Sequence, residues 1–112
     1  MGEIKTLGYY VNGEWKKSAA EHYTDAFDPS TGKVIAKVPC CTSDEVEEAI
    51  ASAKKAFPSW AATPVKKRVQ ILYRVRELLY EHMDELTMSV ARENGKAWSE
   101  AEGDVLKAIE GT

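Results

Sequence analysis

The sequence predicts an α/β chain in which antiparallel β-hairpins come first and about four α-helices follow. Three observations carry this reading. The turn-forming runs Asn12-Gly13 and Asp28-Pro29-Ser30-Thr31-Gly32 punctuate short β-branched and aromatic stretches before residue 42. Beyond Thr42 the apolar residues recur at spacings of three and four, the period of a helix. Helix-start and helix-stop signals then follow one another in order to the end of the sequence.

Tyr9-Tyr10-Val11 and Glu14-Trp15-Lys16 flank Asn12-Gly13, the dipeptide best suited to positive φ at both central positions of a tight turn. In the second turn Pro29 fixes one φ angle and Gly32 frees another. That turn leads into Val34-Ile35-Ala36-Lys37-Val38, which Pro39 closes. Two short antiparallel units are therefore expected over residues 1–41.

Thr42 and Glu45 form a capping-box pattern, in which each side chain satisfies a free N–H at a helix start. Val46, Ala49, Ile50, Ala53, Phe57 and Trp60 then share one helical face, and Pro58 ends this helix or bends its last turn. Thr63-Pro64 opens a second helix, a capping hydroxyl followed by a proline in the first turn, and Val65, Val69, Leu72, Val75 and Leu79 give it a broad apolar stripe. A third helix is expected from Asp84, with Leu86, Val90 and Ala91 inward. It stops at Asn94-Gly95, where glycine suits the left-handed terminating residue. Ser99 and Glu102 repeat the capping-box pattern for a fourth helix carrying Ala101, Val105, Ala108 and Ile109. It stops at Gly111-Thr112 after about three turns, which is compatible with a real end and also reads as a chain cut in mid-architecture.

Composition narrows the function classes. With 44% apolar and 29% charged residues, three Trp and five Tyr, the 112-residue chain has the makings of one ordered domain. The formal charge of −3 leaves no basic face for nucleic acid, and Lys66-Lys67-Arg68, the densest cationic run, reads as a solvated helix surface. No apolar run approaches the roughly 20 residues that span a bilayer, and the polar start lacks a signal-peptide core. Met1-Gly2 opens like a myristoylation site, but Thr6 supports that pattern only weakly. The cysteines, Cys40 and Cys41, are adjacent and have no third thiol to pair with, so reduced thiols in a cytoplasmic protein are expected.

Few residues offer catalysis. His22 and His82 lack neighbours at metal-ligand spacing and read as surface histidines. Cys40 and Cys41 precede a helix start, but no obvious base stands near them in the sequence and passive thiols are expected. Glu45, Glu47 and Glu48 fall in the first turns of a helix, where the macrodipole favours acidic groups. No glycine-rich phosphate loop of either common pattern is present.

The blocks nevertheless have a collective likeness. Tyr10-Val11-Asn12-Gly13-Glu14-Trp15 resembles the opening of aldehyde dehydrogenases, and the run from Asp28 to Val38 is similar to that family's N-P-A/S-T-G-E-V-I-A-x-V. The stretch from Val46 to Trp60, then Arg68 with Ile71-Leu72, Leu78-Leu79 and Glu85-Leu86, continue the likeness in order. Glu93-Asn94-Gly95-Lys96 matches E-N-G-K, and the run from Glu100 to Val105 is close to E-A-x-G-E-V. The opening and the last block most resemble the methylmalonate-semialdehyde branch.

The resemblance implies the N-terminal part of a cofactor-binding domain, hairpins over 1–41 and helices over 42–112, with the catalytic domain absent from this stretch. It implies an enzyme that oxidises an aldehyde or semialdehyde through a cysteine thiohemiacetal, passes hydride to NAD or NADP, and releases the acyl group to water or coenzyme A. The nucleophile, base and oxyanion-hole residues lie downstream of the matched blocks, so no catalytic role is transferred to Cys40 or Cys41. In the branch an arginine recognises the substrate carboxylate at the position of Lys107, which keeps the charge and loses the bidentate fork. Succinate semialdehyde and simple aldehydes therefore stay open as substrates. Many members hold Na or K on backbone carbonyls and an acidic residue, here Ala26, Phe27 and Glu93. The family's enzymes are homodimers or homotetramers. The alternative is a standalone, non-catalytic interaction module of the same fold.

Overall fold

The computed structural model describes residues 3–112, so the Met1-Gly2 start lies outside the described residues. The chain forms two compact units, one of residues up to Phe27 with Lys33–Ala62, the other of Asp28–Gly32 with Thr63–Thr112.

The first unit holds β1 (Lys5–Thr6), β2 (Tyr9–Val11), β3 (Glu14–Lys16), β4 (Tyr23–Asp28), β5 (Lys33–Pro39) and α1 (Ser43–Ala62). β2 and β3 form the antiparallel hairpin expected from Asn12-Gly13, with Tyr9 opposite Lys16, Tyr10 opposite Trp15 and Val11 opposite Glu14. Asn12 and Gly13 have φ of 52° and 80°, the left-handed pair this turn requires. Strands β1, β5 and β4 form a second sheet in that order. Just past the strand ends, the Cys40 N–H donates to the His22 carbonyl at 3.0 Å. β1 lies parallel to β5, Lys5 opposite Ala36 and Thr6 opposite Lys37. The sequence analysis did not anticipate this strand, because two residues leave no alternation to read.

α1 starts on the expected capping box. The Thr42 N–H donates to Glu45 Oε2 at 2.9 Å, and the Glu45 N–H donates to Thr42 Oγ1 at 3.3 Å. The helix runs through Pro58 to Ala62 rather than ending there. Proline disturbs only the turn that precedes it, and the residues after it keep their own N–H donors. The stripe expected to face inward is largely exposed: Val46 at 47%, Ile50 at 54% and Phe57 at 67%. The helix instead turns the face of buried Glu45 and half-buried Ala49 and Ser52 inward, and it packs on β2.

The second unit holds α2 (Val65–Glu81), α3 (Met83–Asn94) and α4 (Trp98–Glu110). Its core lies between α3 and α4, where Ala101, Val105 and Ile109, spaced four apart, are buried together with Thr87 of α3. Ala108, expected on that face, is exposed. Gly95 closes α3 with φ of 67°, its N–H donating to the Ala91 carbonyl at 2.9 Å. The turn 28–32 is held by the Asp28 carboxylate, which accepts the Ser30 N–H at 2.8 Å, and by the Asp28 carbonyl, which accepts the Gly32 N–H at 2.8 Å. Pro29 and Ser30 stand against Gly95 so closely that a Cβ there would sit 3.0 Å from Pro29 Cγ.

Two helix starts differ from expectation. Pro64, not Thr63, occupies the N-cap of α2, its carbonyl accepting the N–H groups of Lys67 and Arg68. Ala97, not Ser99, is the N-cap of α4, with no side-chain capping bond. The chain leaves the left-handed turn at Gly95, becomes extended at Ala97, and enters the helix at Trp98, so Ser99 already lies inside it. Burial of the Ala101, Val105 and Ile109 face supplies the stabilisation a cap would otherwise give.

Candidate functional site

Lys107 lies on the exposed side of α4, one turn after Asp104. Its Nζ is 3.8 Å from Asp104 Oδ1, too far for a hydrogen bond, and its side chain is 80% exposed. Asp104 is held chiefly by Lys96, whose ammonium donates to Oδ2. That bond keeps the Asp104 carboxyl below its usual range and raises the Lys96 ammonium above its own. The Lys107 charge is thus left largely to solvent. It offers a compact cation able to meet a carboxylate, without the planar fork an arginine would bring.

Glu93 is exposed near the end of α3, where the Ser89 hydroxyl donates to its Oε1 at 3.3 Å. Ala26 is half-buried and Phe27 exposed in β4. These residues supply carboxylate and carbonyl oxygens, hard donors of the kind a sodium or potassium ion takes. Among the described residues no group of three or more His, Cys, Asp or Glu side chains is arranged to hold a metal.

The other candidates take structural roles. His82 joins α2 to α3, its Nδ1 3.2 Å from Glu85 Oε2, and its side chain is exposed. Cys40 is exposed and Cys41 half-buried, and both are free thiols. Cys41 is among the groups that hold the Glu45 carboxyl low. Arg68 departs from the solvated reading of the Lys66-Lys67-Arg68 run, since its Nε donates to the Thr63 carbonyl at 3.0 Å and braces the start of α2. Among the described residues no helix is long and apolar enough to cross a membrane.

The most concentrated polar site lies at the start of α1, where the sequence predicts a capping role for Glu45 and only a match to the helix dipole for Glu48. Glu45 caps its own helix and also accepts the Ser18 hydroxyl at 2.8 Å and the Ala19 N–H at 2.6 Å. The Ala19 bond, with those from Ser18 and Thr42, holds its carboxyl below the usual glutamate range despite burial. One turn on, Glu48 accepts the Tyr9 hydroxyl at 3.1 Å and the Lys16 ammonium, and Lys16 lowers its pKa in turn. A signal was present. Tyr9 and Lys16 are cross-strand partners in the hairpin register, so both must point to one face of it. This arrangement fastens α1 to the hairpin and to the residues that follow it. Two hollows are open grooves, one bordered by Ile4, Leu7 and Trp15 and the other by Tyr73, Arg76 and Tyr80 of α2.

Comparison with known proteins places these elements. The sequence profile of the aldehyde dehydrogenase family matches residues 15–112. Malonate-semialdehyde dehydrogenase 2 of Oceanobacillus iheyensis is 44% identical over 107 residues, 96% of this chain and 22% of that protein. A Sinorhizobium meliloti structure, assigned as a methylmalonate-semialdehyde dehydrogenase and complexed with NAD, superposes with a TM-score of 0.92 at 30% identity. It is matched over 98% of this chain and 22% of its own. Methylmalonate-semialdehyde dehydrogenase from Oceanimonas doudoroffii gives a TM-score of 0.90 at 33% identity, over 96% of this chain and 22% of its own. The chain thus spans about a fifth of the length of the relatives it matches.

Proposed function

This chain belongs to the aldehyde dehydrogenase family, and we propose that it serves as the N-terminal part of the cofactor-binding domain of a nicotinamide-dependent semialdehyde dehydrogenase. The observation that carries this reading is the match in both sequence and backbone to one end-to-end stretch of enzymes that are four to five times longer, one of them holding NAD. The nucleophilic cysteine, the base and the nucleotide-contacting residues belong to polypeptide outside these 112 residues, and the isolated chain does not turn over substrate. NAD or NADP, when bound in the whole enzyme, accepts the hydride. The acyl group then passes to coenzyme A or to water.

The substrate is a semialdehyde bearing a carboxylate, of the malonate or methylmalonate type named in the relatives. Lys107 supplies a positive charge toward that carboxylate, favoured by its 80% exposed side chain, which meets Asp104 only at 3.8 Å. Glu93 and the carbonyls of Ala26 and Phe27 contribute to a monovalent-cation site, for which hard oxygen donors are suited. The whole enzyme is a cytoplasmic homodimer or homotetramer.

The test of the substrate reading is made in the full-length enzyme. Lys107→Ala should raise KM for a carboxylate-bearing semialdehyde roughly tenfold or more, the loss of one charge-assisted contact. KM for an uncharged aldehyde of similar size should stay within about twofold, and Lys107→Arg should restore the preference. Equal changes for both substrates would show that Lys107 does not read the carboxylate.

A further inference from the structure

The way α1 meets the hairpin inverts the usual arrangement of an amphipathic helix. Its apolar residues Val46, Ile50 and Phe57 are exposed, while the residues directed at the hairpin and the strap after it are two carboxylates, Glu45 and Glu48. The hairpin answers in kind. Tyr9 of β2 and Lys16 of β3 both bond Glu48, and Ser18 and Ala19 of the strap both bond Glu45. Val11 is the one buried apolar residue of β2 and β3. The opposite face of the hairpin carries Tyr10 and Trp15, rings 5.2 Å apart at 65°, and both are exposed. An isolated two-stranded hairpin is marginal in water, so its attachment decides whether it stays formed.

We propose that the β2–β3 hairpin is a separately opening flap, clasped to α1 by the Glu45 and Glu48 carboxylates and released without unfolding the rest of the chain. The clasp is polar throughout: its Glu48 half is exposed and its Glu45 half is buried through hydrogen bonds to Ser18 and Ala19, so it carries little of the apolar burial that makes a helix–hairpin contact cooperative with a core. The charged and titratable groups that face it are Tyr9 from β2, Lys16 and Glu14 from β3, Cys41 before α1, and Glu45 and Glu48 from α1 itself. Lys16 is the only cation among them, so neutralising either it or the two glutamates dismantles the charge pairing.

Amide hydrogen exchange on the full-length enzyme tests this. In Glu45→Gln/Glu48→Gln, glutamine at 45 keeps the capping-box geometry and removes the charge. The hairpin amides at 9–16 should exchange about tenfold faster, the loss of a charge-assisted bond or more. Amides in the middle of α1, around 50–56, and in the α4 core, 101–109, should stay within about twofold. Lys16→Met, which leaves α1 untouched, should also speed exchange at 9–16 and nowhere else. Unchanged exchange at 9–16 in either variant overturns the proposal. So does acceleration of 9–16 and 50–56 together, which would mean that hairpin and helix open as one.

Discussion

Thr87 sits fully buried on α3, yet its Oγ1 has no hydrogen-bond partner among the described residues. A buried hydroxyl without a partner costs about 1–3 kcal/mol relative to one that is satisfied. Thr87→Val keeps the branched shape and removes the oxygen, so urea denaturation should show the variant more stable by about 1 kcal/mol. A destabilised variant would mean the hydroxyl is satisfied after all. Single residues also show what the sequence alone could reveal. Asn12-Gly13 and Gly95 were legible because positive φ is a property of the residue itself, and all three adopt it. Thr87 was not legible, because its burial depends on how α4 lies across α3, a relation no local pattern encodes.

At the scale of elements, the helices were read more securely than their starts or their faces. The periodicity in α1 correctly groups Val46, Ile50 and Phe57, but a period reports only which residues share a side. It does not report which body that side will meet, and within this unit the meeting side belongs to Glu45 and Ala49. The same limit hid α4's start, where Ser99 and Glu102 have the spacing of a cap but the backbone turns at Ala97. The junction of α1 with the hairpin carries a pH prediction. Glu45 and Glu48 both have carboxyls held below the ordinary glutamate value of about 4.3. Their contribution is therefore fully present above that value and is lost as pH falls through their lower folded values. Acid titration followed by near-ultraviolet circular dichroism of Tyr9 and Trp15 should show the hairpin signal collapsing only below about pH 4. In Glu48→Gln the acid-dependent part should shrink, since one of the two titrating groups is gone. A transition centred above the ordinary glutamate value would contradict the assignment.

At the scale of the whole molecule, many large apolar side chains of the described residues are exposed. Ile71, Leu72, Tyr73 and Val75 of α2 are exposed along with the stripe on α1, and α2 has no buried residue. Within each unit, exposed apolar side chains of this kind are surface that further protein covers. The 112-residue chain in isolation should self-associate, visible as concentration-dependent sedimentation, and the full-length enzyme should not show that behaviour through these faces. A chain that stays monomeric at high concentration would mean these faces are tolerated in water as they stand.

The central claim, that these residues are scaffold for chemistry supplied elsewhere in the polypeptide, is tested most directly by turnover. Purified 112-residue chain is mixed with malonate semialdehyde, NAD or NADP, and coenzyme A, and the reduced nicotinamide is followed by absorbance beside the full-length enzyme. The account predicts no reduction above the buffer rate for the chain alone and steady turnover for the long form. Sustained nicotinamide reduction by the short chain, in a preparation free of longer species by intact mass, would contradict it.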